Sequence, residues 1–264
     1  MPVDYFEEGY RFFENEELDS ALNRFNYIVE NYSDDESFGR SLYNTGAIYW
    51  KLNRLSDAKA VYEKILNGNL NETEDLGGNI MSDPYTNFKH RAATHLSDIF
   101  YEEKDYSNAL KYLNLADTVY KYIHWEANAS EEEEIFFAIK YANIYDYLNM
   151  KQKAISSLLP CVFFQFAGGE SKEELYEKIE ELFKKYKYTN VKENFDESLR
   201  NYKKEMRISE SRKTIYYLYY VIYYNTKIYL PNEPYKSLTE LNENEVINDT
   251  KKFGFYKFLQ NLVK

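Results

Sequence analysis

The chain has one cysteine, two tryptophans, three histidines, five prolines and nine glycines in 264 residues. A lone cysteine cannot form an intramolecular disulfide, so nothing in the composition calls for an oxidising compartment. The most apolar window, Ile215 to Tyr224, is ten residues long, about half of what a membrane-spanning helix needs. Met1 to Asn15 carries acids where a secretion signal needs positive charge, and it lacks an apolar stretch. A cytoplasmic protein without a membrane segment is expected. Four Asn-x-Ser/Thr triplets, at Asn31, Asn71, Asn128 and Asn248, are chance matches on this reading.

Basic residues are also short: 33 against 44 acidic ones, for a net charge of −11. That balance opposes binding to nucleic acid through phosphate neutralisation and adsorption to anionic membranes. What the chain has in quantity is aromatic surface, with 29 Tyr and 17 Phe. Such a composition excludes a disordered chain and is enough to bury a sizeable core.

A spaced pattern recurs through the first two thirds. It consists of a small residue, an aromatic three later, a second small residue at twelve, and a bulky one at sixteen. Gly9, Phe12, Ala21 and Phe25 fit it, as do Gly46, Tyr49, Ala58 and Tyr62. Ser97, Phe100, Ala109 and Leu113 form the third copy, and Ala142, Tyr145, Ala154 and Leu158 the fourth. Small side chains at both marked positions let two antiparallel helices cross closely, and the large ones fill the groove beside them. Polar turns fall between the two halves: Asn15-Glu16-Glu17, Asn53-Arg54 and Lys104-Asp105. Ser130 followed by Glu131–Glu134 predicts a helix start, and so does Asp83-Pro84. The insertion Asn67–Asp83, with Gly77-Gly78, predicts a surface loop or lid.

These four copies resemble the tetratricopeptide repeat family over about residues 3–166. Their spacings are 37, 51 and 45 residues, longer than the family's, and the family's proline near the end of the second helix is absent. The resemblance implies an all-α fold, a stack of antiparallel helix pairs. It also implies a concave groove, lined by the first helix of each pair, that takes a protein or peptide partner. Carried onto this chain, the lining is Phe6, Tyr10 and Phe13 from the first copy and Arg40, Tyr43, Asn44 and Trp50 from the second. The third contributes Arg91, His95, Asp98 and Tyr101, and the fourth Lys140, Asn143 and Tyr147. Buried aromatics with a few cations are the usual makings of an interface hot spot; the competing reading is that these rings cover core edges. In the family's carboxylate-clamp members, Lys and Asn come from the first repeat. Here Phe6 and Tyr10 stand in those places, so only Asn44, Arg91 and His95 remain to match it.

The charge changes sign along the chain. Through Gly169 there are 28 acidic and 15 basic residues; from Glu170 onward there are 16 and 18. A repeat domain at 1–169 and a C-terminal capping region at 170–264 are therefore expected. In the latter, Ser171 with Glu174 predicts a capping box. The stripes Leu175, Ile179, Leu182, Phe183, Tyr186 and Phe195, Leu199, Tyr202 predict a degenerate fifth helix pair. Residues 214–230 favour a β-hairpin turning at Asn225-Thr226, although a buried helix fits the periodicity too. A polar stretch after Glu233-Pro234 leads to a last helix over about Asp249–Val263.

The search for chemistry yields no metal, cofactor or catalytic site. His90 and His95 are five apart and fall on different helix faces; Cys161 sits where packing wants a small core residue. No phosphate loop and no nucleophile elbow occurs. Lys184 to Lys213 holds ten cations against five acids, a cluster that reads as a solvated helix face more readily than as a nucleic-acid patch. The expected function is non-enzymatic binding of a protein, with the acidic surface suited to a basic partner. The alternatives are a ligand-sensing regulator whose basic C-terminal region touches nucleic acid, an acidic immunity-type protein that neutralises a basic toxin, and an enzyme with a site of Tyr, Glu and His across the groove.

Overall fold

Close helix crossings, anchored by glycines, organise the first part of the chain. In the computed structural model, a Cβ on Gly9 would lie 2.8 Å from the Phe25 ring, and one on Gly46 would lie 2.7 Å from Tyr62. Where the small residue is Ser97, its hydroxyl donates to the Ala109 carbonyl at 2.9 Å, side chain to opposing backbone. Ala21, Ala58 and Ala109 and the bulky Phe25, Tyr62 and Leu113 are fully buried. The structure describes residues 2–70, 87–121, 124, 126–209, 214–231 and 241–262. Asp83-Pro84, most of the Asn67–Asp83 insertion and the stretch from Glu233-Pro234 to Glu240 lie outside them.

The described residues fall into two compact units, Met1–Trp125 and Glu126–Lys264. Packing therefore divides the chain earlier than charge does, which changes sign at Gly169. The first unit contains three helix pairs: α1 (Pro2–Glu14) with α2 (Leu18–Asn31), α3 (Ser37–Lys51) with α4 (Leu55–Asn67), and α5 (Phe88–Glu102) with α6 (Tyr106–Asn114). Each pair also packs on the next through α2 with α3 and α4 with α5.

The fourth pair, α7 (Ala127–Tyr147) and α8 (Lys151–Leu158), lies in the second unit. It shares one core with α9 (Gly169–Lys185), α10 (Val191–Arg200), the sheet and the closing helices α11 (Glu243–Lys252) and α12 (Gly254–Leu262). The sheet has three antiparallel strands in the order β1 (Lys203–Ser209), β2 (Thr214–Tyr223), β3 (Thr226–Tyr229). Tyr219, Val221, Tyr223 and Ile228 face the core.

The polar turns have one geometry in all four copies. Glu16, Asn53, Lys104 and Asn149, each seven residues after the first small residue, have left-handed φ angles of 62, 56, 63 and 57°. In the first copy, Glu16 N–H donates to Phe13 O (3.1 Å) and Glu17 N–H to Phe12 O (2.9 Å). The same two bonds recur as Asn53 to Trp50 with Arg54 to Tyr49, Lys104 to Tyr101 with Asp105 to Phe100, and Asn149 to Asp146 with Met150 to Tyr145. This is the paired-bond helix terminus that glycine usually supplies. The aromatic of the sequence pattern is thus also the residue whose carbonyl closes the helix.

Several expected boundaries are corrected. Ser130 lies inside α7, which starts at Ala127 with Glu126 as its cap. The acids after Ser130 serve a different purpose. Glu131 accepts backbone N–H bonds from Gln165 (3.2 Å), Phe166 (2.6 Å) and Ala167 (2.8 Å), and Glu132 accepts one from Gly168 (2.9 Å). Those bonds hold the connection leading into α9. Ser171 is likewise internal, because α9 begins at Gly169; a full capping box forms instead at Asn242 and Glu245. The last helix is two helices, broken at Phe253 where the backbone is extended. α10 packs against β2 and α12 instead of closing on α9 as a fifth pair.

The hairpin forms at β2–β3, with its turn on Tyr224-Asn225, one residue earlier than expected. Both turn residues have positive φ, as a two-residue turn of this twist requires. β1 is an addition that its charged sequence, KKEMRIS, conceals.

Candidate functional site

Three first helices of the first unit converge on a pocket of about 270 Å³. Phe6, Glu7 and Tyr10 enter it from α1, Arg40, Tyr43 and Asn44 from α3, and Phe88 and Arg91 from α5. These residues recur three and four apart on each helix, so each helix presents one stripe to the same space. α3 and α5 approach closely because Gly39 leaves room for the Phe88 ring, which a Cβ there would meet at 2.6 Å.

The pocket wall is rigid where it meets the core. Tyr43 is 7% exposed, and its hydroxyl hydrogen-bonds His95 Nε2 at 2.5 Å. The Arg91 guanidinium lies over the Tyr43 ring, 4.0 Å from its centroid. Behind Tyr43, His95 stacks on Tyr62 at 5.2 Å and meets the Trp50 ring edge-on at 5.0 Å. Trp50 in turn donates to Glu102 Oε2 at 3.2 Å. Burial pushes the Tyr62 hydroxyl far above the usual phenol range; Tyr43 and Asp98 add to the rise and Arg91 opposes it. On the open side, Tyr10 is 45% exposed, so the pocket combines a fixed floor with an accessible aromatic rim.

Six residues of the expected lining therefore meet at one pocket: Phe6, Tyr10, Arg40, Tyr43, Asn44 and Arg91. Trp50 and His95 support Tyr43 from behind instead of lining the space. Phe13 packs against the core formed around Phe25, with the Lys51 ammonium 5.0 Å from its ring. Tyr101 packs edge-on against Tyr106 at 5.6 Å, and the charge of Asp98 acts on Tyr62. Lys140, Asn143 and Tyr147 lie along one stripe of α7 in the second unit, where the Lys140 ammonium sits 4.7 Å from the Phe136 ring. Glu7 and Phe88 were not anticipated. Phe88 is one turn before Arg91 and was discoverable from helical spacing; Glu7 is a neighbour of Phe6 with no signal of its own.

Cys161 is buried, and burial, with the charges of Glu134 and Glu131, pushes its thiol up to about 12. A thiol so raised is a poor nucleophile. No group of three or more metal-type side chains converges among the described residues. No helix among them is long and apolar enough to cross a membrane. The described cations of the Lys184–Lys213 cluster spread over α9, the turn after it, α10 and β1, Arg212 and Lys213 lying outside the described residues. Several are paired: Lys184 with Glu180, Lys185 with Asp146, Lys192 with Asp196 and Arg207 with Glu205.

Comparison with known proteins agrees with this architecture. The tetratricopeptide repeat family model matches residues 39–67, which are α3 and α4. No match to a curated protein was found. Among solved structures, MamA from Desulfovibrio magneticus RS-1 (residues 41 to the end) is 14% identical, covering 70% of this chain and 85% of its own, with a TM-score of 0.50. A MamA RS-1 double mutant gives 13%, 71%, 85% and 0.51. A putative kinesin light chain from Podosopora anserina with nearly identical TPR-like repeats is 13% identical, covering 72% of this chain and 90% of its own, with a TM-score of 0.52. At such identities the likeness speaks to fold. The chain carries a tetratricopeptide-repeat-like stack of helix pairs, followed by a small antiparallel sheet near its C-terminus.

Proposed function

We propose that this protein is a non-catalytic interaction module that binds a segment of a partner protein in the pocket between α1, α3 and α5. The observation that carries the reading is convergence: three successive first helices contribute aromatic, amide and guanidinium groups to one space. Tyr43 and Arg91 are held in place before any partner arrives, which lowers the ordering cost of binding. The acidic surface of the chain favours approach of a basic partner by steering. The pocket selects on different grounds, since two arginines against one glutamate suit a carboxylate next to a bulky apolar side chain.

Tyr10 and Arg40 are exposed, so replacing them spares the core. Affinity capture with the wild type beside Tyr10→Ala/Arg40→Ala, followed by titration of the retained partner, tests the reading. Loss of about tenfold or more in affinity is expected for a pocket hot spot. Undiminished binding by a variant that melts like wild type would reject the pocket.

A further inference from the structure

The sheet of the second unit ends in a strand with an open side. β1 pairs with β2 over all seven residues, Lys203 to Ser209, with no bulge and no proline. Among the described residues no strand lies on its other side. Such an edge offers a row of backbone donors and acceptors that another strand can complete, and proteins blunt it with bulges, prolines or charged side chains. β1 has charges alone, Lys203, Lys204, Glu205 and Arg207, with Lys204 on the face of Met206. Here Met206 and Ile208 point to the same face as Tyr217 and Tyr219, yet they are 59% and 66% exposed. Glu205 and Arg207 alternate with them on the opposite face.

The strand is self-complementary. Two copies that pair edge to edge in antiparallel fashion are related by a two-fold axis normal to the sheet, so each residue meets one on the same face. Centring that axis on Lys204, Glu205 or Arg207 would set identical charges opposite each other. Centring it on Met206 pairs all seven residues. It places Glu205 opposite Arg207 of the second copy, twice, and Met206 opposite its own counterpart, with Lys204 beside Ile208. Glu205 already bonds Arg207 Nε at 2.5 Å and Lys227 Nζ at 2.6 Å within its own chain. The dimer would extend these pairs into one alternating network, the arrangement in which surface charges contribute most. An isologous contact of this kind closes on itself, so it makes a dimer and not a fibre.

We propose that β1 is a homodimerisation edge, pairing with β1 of a second copy in the Met206-centred register and merging two three-stranded sheets into one. The inference is independent of the pocket described above.

Sedimentation equilibrium of the full chain tests it. The wild type should form a concentration-dependent dimer. Arg207→Glu, which sets like charges opposite one another at two positions, should weaken that dimer by about tenfold or more, and the exchange Glu205→Arg/Arg207→Glu should restore it. Each variant should keep the wild-type circular dichroism spectrum. Met206→Cys gives a second readout, because in this register the new thiols face each other and should cross-link under mild oxidation. A wild-type chain that stays monomeric, a dimer indifferent to Arg207→Glu, an exchange variant that does not re-associate, or Met206→Cys that does not cross-link would overturn the proposal. A monomeric chain would leave the edge to a strand of a different protein.

Discussion

The Tyr62 ring occupies the space a Cβ on Gly46 would fill, its nearest carbon 2.7 Å from that position. The partner sizes follow from this. Gly9 and Gly46 face the rings of Phe25 and Tyr62, whereas Ser97 and Ala142 occupy the copies that carry Leu113 and Leu158. Size on one helix is traded against size on the other.

Gly46→Ala should therefore destabilise the protein despite the better helix propensity of alanine. The propensity gain is ~1 kcal/mol and overpacking a closed core costs ~1–3 kcal/mol, so a net loss of up to ~2 kcal/mol is expected in urea unfolding. Combining it with Tyr62→Leu, which imitates the third and fourth copies, should recover part of the loss. A coupling of at least ~0.5 kcal/mol in the double-mutant cycle is the signature, and strict additivity would refute the size exchange.

Tyr62→Phe should leave stability unchanged or raise it. The Tyr62 hydroxyl is fully buried with no hydrogen-bond partner among the described residues. An unpaired buried hydroxyl costs ~1–3 kcal/mol, which the substitution relieves. A clear drop in the unfolding midpoint would mean that the hydroxyl has a partner after all.

Left-handed turn positions occupied by residues other than glycine carry strain. Lys104→Gly and Glu16→Gly should each stabilise by ~0.5–1 kcal/mol, the relieved backbone strain less the added entropy of the unfolded glycine. Asn53→Gly and Asn149→Gly should gain less, because asparagine tolerates this conformation better. Thermal melts of the four variants would show the ordering, and equal gains would contradict it.

Acid sensitivity should be traceable in part to Asp146. Burial tends to raise this carboxyl, but hydrogen bonds from Lys185 Nζ and Tyr186 Oη, both 2.6 Å, outweigh it and hold the group below the usual carboxylate range. A carboxyl lowered in the folded state adds stability that is complete above the unfolded value, about 3.9, and is lost as pH falls through the folded one. Asp146→Asn should accordingly lower stability at neutral pH and flatten the decline below about pH 4. If the variant's acid limb matches wild type, Asp146 is not a contributor.

Much of this molecule is readable from its letters because the interactions are local. A gap of twelve residues is one helix, a turn and the start of the next, so Gly46, Ala58 and Tyr62 reveal a crossing without knowledge of any distant segment. The pocket was legible for the same reason: Arg40, Tyr43 and Asn44 lie on the face of α3 that the repeat leaves open. Their roles were less so. Tyr43 and His95 share a partly buried hydrogen bond across 52 positions, and only the packing of α3 on α5 makes His95 a support and not an anchor.

By itself, the sequence determined the helix pairs, the polar turns inside the first three, and the hairpin of β-branched and aromatic residues; the left-handed conformation of the turns came only from the structure. Tertiary structure alone decided where α7 and α9 begin, because the carboxylates of Glu131 and Glu132 were drawn to backbone donors 34 to 36 residues away instead of capping their own helix. It also decided that KKEMRIS is a strand, since a charged segment adopts that form only when a neighbour such as β2 supplies the other half of each hydrogen bond.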